Sequence, residues 1–127
     1  MLVSPADVVA MAKATIKECS VSEAHECLDS STLLIDIREP AEFQKGRIRG
    51  AINLPRGLLE FDIHGLVERQ RAGLNESPED QAVVLYCGTG GRSALAAQSM
   101  QAMGYRNVKS MDGGIVAWAA AGLPIDA

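Results

Sequence analysis

Short apolar runs alternate with amphipathic segments along the whole chain. The apolar runs, rich in β-branched and aliphatic residues, predict strands at 16–19, 32–37, 51–54, 82–86 and 107–111. Apolar residues at helical spacing predict helices at 6–17, 22–28, 40–45, 57–71 and 92–103, and a terminal helix that Gly113-Gly114 opens. Strands that alternate with helices favour an α/β fold, in which helices cover both faces of a parallel sheet.

Residues at the ends of these segments indicate where helices begin and end. Ser4 with Pro5 is typical of a capped helix start, and we interpret Ser22 as the start of the second helix. Gly46 is predicted to close the third helix, and the polar residues 75–81 are predicted to form the main surface loop. We expect a helical extension at 1–15 and a single domain at 16–127.

Composition narrows the classes of partner. The chain has 127 residues, a net charge of −4, a pI near 5.1 and only 4% aromatic residues, so we expect no nucleic-acid partner. No apolar run approaches the roughly 20 residues of a membrane span, and the N-terminus lacks a signal-peptide pattern, so we expect no membrane partner. A cytoplasmic protein is the expectation.

The three cysteines are Cys19, Cys27 and Cys87. They form no C-x-x-C pair and have no close histidine, which argues against a disulfide framework and against a zinc or other metal site. Cys19 and Cys27 lie at a predicted strand end and in a predicted helix, where a free cysteine usually behaves as a small buried hydrophobe. Cys87 differs because of the residues that follow it.

Cys87 is predicted to lie on a turn between a strand and a helix. The residues after it are ones that favour anion binding, namely Gly88, Thr89, Gly90, Gly91, Arg92 and Ser93. The glycines can adopt positive φ and let backbone amides surround an anion, the hydroxyls can donate, and the arginine supplies fixed charge. Ser93 is also placed to cap the helix. We predict that this loop lowers the pKa of the Cys87 thiol.

The residues of this loop also raise two other interpretations, a glycine-rich turn without function and a nucleotide-binding loop. Glycine-rich turns between strands and helices are common in α/β proteins, and a cysteine can occupy one without function. The phosphate-loop motif of nucleotide-binding proteins needs Gly-Lys before its Ser or Thr, and the dinucleotide motif needs a glycine where Ser93 stands. Neither nucleotide-binding motif is therefore present.

Four segments in the same order resemble the rhodanese family of sulfurtransferases. They are Leu34 to Glu39 with Glu42-Phe43, then Gly46 to Pro55, then Cys87 to Arg92, then Gly113-Gly114 with Ala117-Trp118. The resemblance covers the chain from about Cys19 to Pro124. It implies a three-layer rhodanese-like fold with a central five-stranded parallel sheet flanked by helices.

The resemblance also implies a reaction in two steps. Cys87 attacks the sulfane sulfur of a donor such as thiosulfate, and the resulting persulfide passes that sulfur to cyanide or a thiol. No metal or organic cofactor is implied. The partners are a small-molecule donor and acceptor, and a protein that donates sulfur is an alternative.

Other roles stay open within the same family. The chain resembles a sulfur carrier between proteins or a regulatory module as well as an enzyme. Cysteine-dependent phosphatases and arsenate reductases have a longer loop than the four residues between Cys87 and Arg92 here. For Asp36 and Arg38 we favour a structural ion pair over tuning of the site. Glu42 stands where some two-domain thiosulfate enzymes carry a substrate-binding arginine.

Overall fold

The computed structural model describes residues 1–71 and 76–127. Its central sheet has five parallel strands in the order β1-β6-β5-β2-β4, namely β1 (Lys17–Cys19), β2 (Leu33–Asp36), β4 (Ile52–Asn53), β5 (Val83–Tyr86) and β6 (Val108–Met111). Two further strands, β3 (Arg47–Ile48) and β7 (Ile125–Asp126), pair antiparallel beside this sheet. The predicted five-stranded parallel sheet is confirmed.

In the part of the chain that the structure describes, six α-helices connect and cover the strands. They are α1 (Pro5–Lys13), α2 (Val21–Cys27), α3 (Pro40–Lys45), α4 (Leu59–Gln70), α5 (Gly91–Ala102) and α6 (Gly114–Ala120). Short 3-10 helices lie at Arg56–Leu58 and Pro78–Asp80. Within residues 1–71 and 76–127, no helix is long and apolar enough to cross a lipid bilayer.

The hydrophobic core lies on both faces of the sheet. Alternate residues of β5 point to opposite sides, so Val83 and Leu85 join one apolar cluster, which also contains residues of α4 and α5. Val84 and Tyr86 join the other, which contains Trp118 of α6. The three-layer arrangement and the predicted core position of Trp118 are both confirmed, since Trp118 is buried.

The first two helices begin and end at different residues from those predicted. The helix capped by Ser4 ends at Lys13 instead of continuing to residue 17, and Lys17 already belongs to β1. The second helix is capped by Ser20, not Ser22. The Ser20 hydroxyl accepts from the amide of Glu23, and the Glu23 carboxylate accepts from the amide of Ser20. This reciprocal pair stabilises a helix start two residues before Ser22.

Two more segments differ from their predictions. Residues 56–58 form a 3-10 turn before α4, so the helix predicted at 57–71 starts at Leu59. In the predicted loop 75–81, Asn75 lies outside the described residues, Pro78–Asp80 form a 3-10 helix, and Gln81 is buried. The Gln81 side chain donates to the carbonyls of Ser31 and Ala82, so this end of the segment is tied to the body of the protein.

The two other cysteines have different environments. Cys19 is buried as predicted, and burial raises the pKa of its thiol to about 11. Cys27 is exposed, which corrects the expectation that it is a buried hydrophobe. It lies on the outward side of α2, while Ala24 of the same helix faces the core. The environment of Cys19 therefore disfavours a reactive thiolate.

Candidate active site

Cys87 lies directly after the central strand β5 and before α5. Strand β5 is flanked by β2 and β6, so the loop that follows it emerges in the middle of the sheet edge. Functional groups of open α/β sheets gather at this carboxyl edge. The Cys87 side chain is 1% exposed, so its sulfur is held inside the loop.

Backbone amides of the loop point at the Cys87 sulfur. The amide of Gly90 donates to Sγ at 3.1 Å, and the amide of Ser93 does so at 3.4 Å. Gly90 makes this possible because it has a φ of +105°, in the left-handed region that favours glycine. Gly88 and Gly91 do not adopt positive φ, so the prediction that several glycines curl the loop holds for Gly90 alone.

The hydrogen-bond donors around Cys87 lower the pKa of its thiol by more than burial raises it. Burial by itself raises the pKa of Cys87, but hydrogen bonds from the Ser93 side chain and from the amides of Ser93, Gly90 and Thr89 together lower that pKa below the ordinary thiol value. The positive N-terminal end of α5, which begins at Gly91, acts in the same direction. A lowered pKa increases the fraction of nucleophilic thiolate at neutral pH.

Ser93 supports the sulfur from within the helix instead of capping it. The predicted capping role is wrong, because Gly90 occupies the cap position and Ser93 is buried in the first turn of α5. Its Oγ lies 3.6 Å from Cys87 Sγ and 2.8 Å from Oγ of Ser110 in β6. Ser110 can therefore donate to Ser93 while Ser93 donates to the thiolate. Ser110 is not among the site residues predicted from the sequence, where its only signal is a polar residue within an apolar strand.

The loop rests on two glycines at the start of α6. Gly114 has a φ of +60°, and a Cβ on it would come within 2.5 Å of the carbonyl oxygen of Cys87. The next two amides, of Ile115 and Val116, donate to the carbonyls of Cys87 and Gly88 at 2.9 Å and 3.1 Å. The close backbone approach predicted at Gly113-Gly114 is confirmed, and these contacts satisfy the carbonyls of Cys87 and Gly88 at the start of the loop.

Arg92 forms a two-pronged ion pair with Glu42 of α3. Its Nη1 and Nη2 lie 2.8 Å and 3.0 Å from the two carboxylate oxygens. The hydrogen bonds from Arg92 lower the pKa of Glu42 to about 2, so the carboxylate is ionised throughout the neutral range. Arg92 was expected to offer its charge to an anion, and in the structure that charge is shared with Glu42. The contact between Glu42 and Arg92 is not among the features predicted from the sequence.

Asp36 and Arg38 form a buried ion pair at the end of β2. Arg38 Nε and Nη2 donate to the Asp36 carboxylate at 3.0 Å and 2.7 Å, and the Arg38 amide donates to it at 2.9 Å. Arg38 Nη2 also donates to the carbonyl of Gly46 before β3, at 2.7 Å. These contacts join the end of β2 to the neighbouring turn.

We expect that Ser93→Ala moves the pH profile for the reaction of Cys87 with iodoacetamide by about one pH unit to higher pH. A hydrogen bond to a charged group contributes roughly 1.5 kcal/mol, which the variant loses. Because that bond favours the thiolate, its removal raises the pKa of Cys87, and the rate profile moves to higher pH. The rate of alkylation is measured against pH on both proteins.

Ser99→Ala is the matched control for this experiment. Ser99 is on the same helix, and its Oγ accepts a hydrogen bond from Arg56 at 3.0 Å, away from the sulfur. Its alkylation profile should overlay that of the unmodified protein. If the Ser93→Ala profile also overlays that of the unmodified protein, the Ser93 hydroxyl does not stabilise the thiolate.

Comparison with known proteins agrees with these observations. The chain matches the rhodanese-like domain family over residues 20–121. A sulfurtransferase of Allochromatium vinosum is 41% identical over 93 residues, which are 73% of this chain and 77% of that protein. The chloroplastic thiosulfate sulfurtransferase 16 of Arabidopsis thaliana is 31% identical over 119 residues, which are 85% of this chain and 91% of that protein.

A solved structure shares the fold over almost the whole length. It is a Rhodopseudomonas palustris protein, described as of unknown function and a possible tyrosine phosphatase, and it is 33% identical with a TM-score of 0.80. The alignment covers 99% of this chain and 96% of that one. Together with the match over residues 20–121, these similarities show that the chain belongs to the rhodanese family, and the named relatives support sulfur transfer as its general chemistry.

Proposed function

We propose that this protein is a sulfurtransferase that carries sulfane sulfur as a persulfide on Cys87. With thiosulfate as donor, the Cys87 thiolate attacks the outer sulfur and forms a new S–S bond. The original S–S bond of the donor breaks, and sulfite leaves with its electron pair. Cyanide or a thiolate then attacks the outer sulfur of the persulfide, which returns Cys87 as a thiolate.

The observation that carries this proposal is the set of donors aimed at the Cys87 sulfur. The Gly90 and Ser93 amides lie within 3.4 Å of Sγ, and the Ser93 hydroxyl oxygen lies 3.6 Å from it. In the first step they favour the attacking thiolate. In the second step they stabilise the same thiolate as it becomes the leaving group. Both half-reactions therefore draw on one group of donors.

The same geometry argues against a phosphatase. A cysteine-dependent phosphatase needs loop amides that surround the oxygens of a phosphoryl group. Here the amides of Gly90 and Ser93 converge on the sulfur itself, in a loop with only four residues between Cys87 and Arg92. A single transferred sulfur atom needs less room than a tetrahedral group, which favours sulfur transfer over hydrolysis or arsenate reduction.

Two donors are compared because the identity of the natural donor is part of the proposal. Thiosulfate is suggested by the name of the Arabidopsis relative. A low-mass persulfide such as glutathione persulfide represents the alternative, in which another protein or thiol delivers the sulfur. Because both terminal nitrogens of the Arg92 guanidinium are paired with Glu42, Arg92 offers little free charge to the sulfonate of thiosulfate, so we expect faster loading from the persulfide.

Intact mass spectrometry tests the proposal. After incubation with either donor, the protein should gain the mass of one sulfur atom, and added cyanide should remove it. Digestion under non-reducing conditions should place the added sulfur on the Cys87 peptide. If neither donor adds mass, or if the sulfur is found on Cys19 or Cys27, Cys87 is not the sulfur carrier.

A further inference from the structure

The N-terminal helix forms one wall of a cavity beside Cys87. The cavity has a volume of about 540 Å³, and its lining includes Val3, Pro5, Val8 and Val9 on one side and Cys87, Thr89, Gly91, Arg92 and Leu95 on the other. The match to the rhodanese-like domain family begins only at residue 20, after this helix. The apolar wall is therefore a feature of this chain outside the matched family region.

Helix α1, which forms the apolar wall, packs against the active-site helix α5. Val9 Cγ2 lies against Gly91, where an added Cβ would be 3.5 Å away. At the other end of α1, Ala12 is fully buried, and Lys13 pairs with Glu18 at 3.6 Å and with Asp112 at 3.4 Å. These contacts hold α1 next to the catalytic loop, where Val8 is still 41% exposed.

Charge and apolar surface are unevenly distributed around the cavity. Among the described residues that line it, Arg92 is the only charged one, and its guanidinium is already paired with both oxygens of Glu42. The aliphatic side chains of Val8, Val9 and Leu95 also line the cavity. A small dianion gains little from such a cavity, whereas an apolar group attached to the sulfur donor can be buried against the wall.

We infer that the natural sulfur donor is an organic persulfide or thiosulfonate whose apolar group occupies the cavity between α1 and Leu95. The inference rests on the proposed persulfide chemistry of Cys87 and adds the substrate class. With a thiosulfonate, the thiolate attacks the sulfane sulfur and a new S–S bond forms. The S–S bond of the donor breaks, and an organic sulfinate leaves with the electron pair, so atoms and charge balance without another reactant.

The test compares three donors at saturating cyanide, with thiocyanate formation as the readout. They are thiosulfate, methanethiosulfonate and hexanethiosulfonate, of which the last two differ only in chain length. Each fully buried methylene contributes roughly fourfold to binding, so half burial of the five additional methylenes should raise kcat/KM about thirtyfold. Thiosulfate, which has a second negative charge and no apolar group, should be the poorest of the three.

Serine variants on α1 test whether the alkyl group of the donor binds against this helix. Val8→Ser combined with Val9→Ser should reduce the ratio of kcat/KM for the hexyl and methyl donors about tenfold, since apolar contact equivalent to slightly less than about two fully buried methylenes is lost. Met11→Ser is the matched control, because Met11 is an exposed apolar residue of the same helix outside the cavity lining. It should leave that ratio unchanged.

The outcomes separate this inference from the proposed function. Equal kcat/KM for the two thiosulfonates, or an equal loss in Met11→Ser and in the double variant, overturns the inference while sulfur transfer stands. In that case the apolar wall serves another occupant, such as a segment of a donor protein. If none of the three donors adds sulfur to Cys87, the proposed function fails and the inference fails with it.

Discussion

Cys87→Ser is expected to reduce the thiosulfate–cyanide reaction to the uncatalysed rate, a loss of at least about a thousandfold. A serine hydroxyl at this position is almost fully protonated at neutral pH and cannot form a persulfide. The amides of Gly90 and Ser93 would remain, but they would have no sulfur to stabilise. Thiocyanate formation measures the turnover, and intact mass should show no added sulfur on the variant.

Two comparisons make this result specific to the nucleophile. Cys27→Ser is the matched control, because Cys27 is exposed and distant in sequence from the loop, and it should retain full activity. The Cys87→Ser protein should keep its circular dichroism spectrum and its urea midpoint, since oxygen replaces sulfur without adding volume. Turnover that survives in Cys87→Ser and disappears in a Cys19 variant would move the chemistry to the other buried thiol.

The contrast between Cys19 and Cys87 explains why burial alone does not identify a reactive cysteine. Both are at the carboxyl ends of strands and both are buried. At Cys19 burial dominates and raises the pKa of the thiol to about 11. At Cys87 the loop amides and Ser93 more than offset the same effect and lower the pKa. The difference lies in the hydrogen-bond donors that follow the strand.

Features encoded by neighbouring residues could be predicted from the sequence. The strand before Cys87, the glycine-rich turn and the helix after it are contiguous, so their order indicated a loop that binds an anion. The start of the second helix is harder to predict from the sequence, because serine is a favourable N-cap residue at both position 20 and position 22. Only the return contact from Glu23 to the Ser20 amide selects between them.

Contacts between distant segments could not be predicted in this way. Glu42 and Arg92 are 50 residues apart, and Ser110 meets Ser93 only because β6 lies beside β5. The two-residue strands β3 and β7 are too short to show a period of two in the sequence. The position of α1 over the active-site loop likewise depends on packing, which no local motif records.

The Asp36–Arg38 ion pair leads to the second large expected effect, a loss of stability. We expect Asp36→Leu to lower the free energy of unfolding by about 3–5 kcal/mol, the usual cost of leaving one charge of a buried pair without its partner. Asp36 is fully buried and Arg38 is 7% exposed, so water cannot replace the lost carboxylate. Urea unfolding at neutral pH, followed by the fluorescence of the buried Trp118, measures the change.

A double variant separates the lost pairing from a general defect in packing. Asp36→Leu combined with Arg38→Met removes both charges and keeps similar side-chain volumes, so most of the stability should return. The carbonyl of Gly46 still loses the donor that Arg38 supplied, and the Arg38 amide loses the carboxylate that accepted from it, so a deficit of about 1–2 kcal/mol should remain. If the double variant is as unstable as Asp36→Leu, the cost does not come from the stranded guanidinium. If the double variant is stable but transfers sulfur poorly, the pair also positions the active site, and our structural interpretation of Asp36 and Arg38 is incomplete.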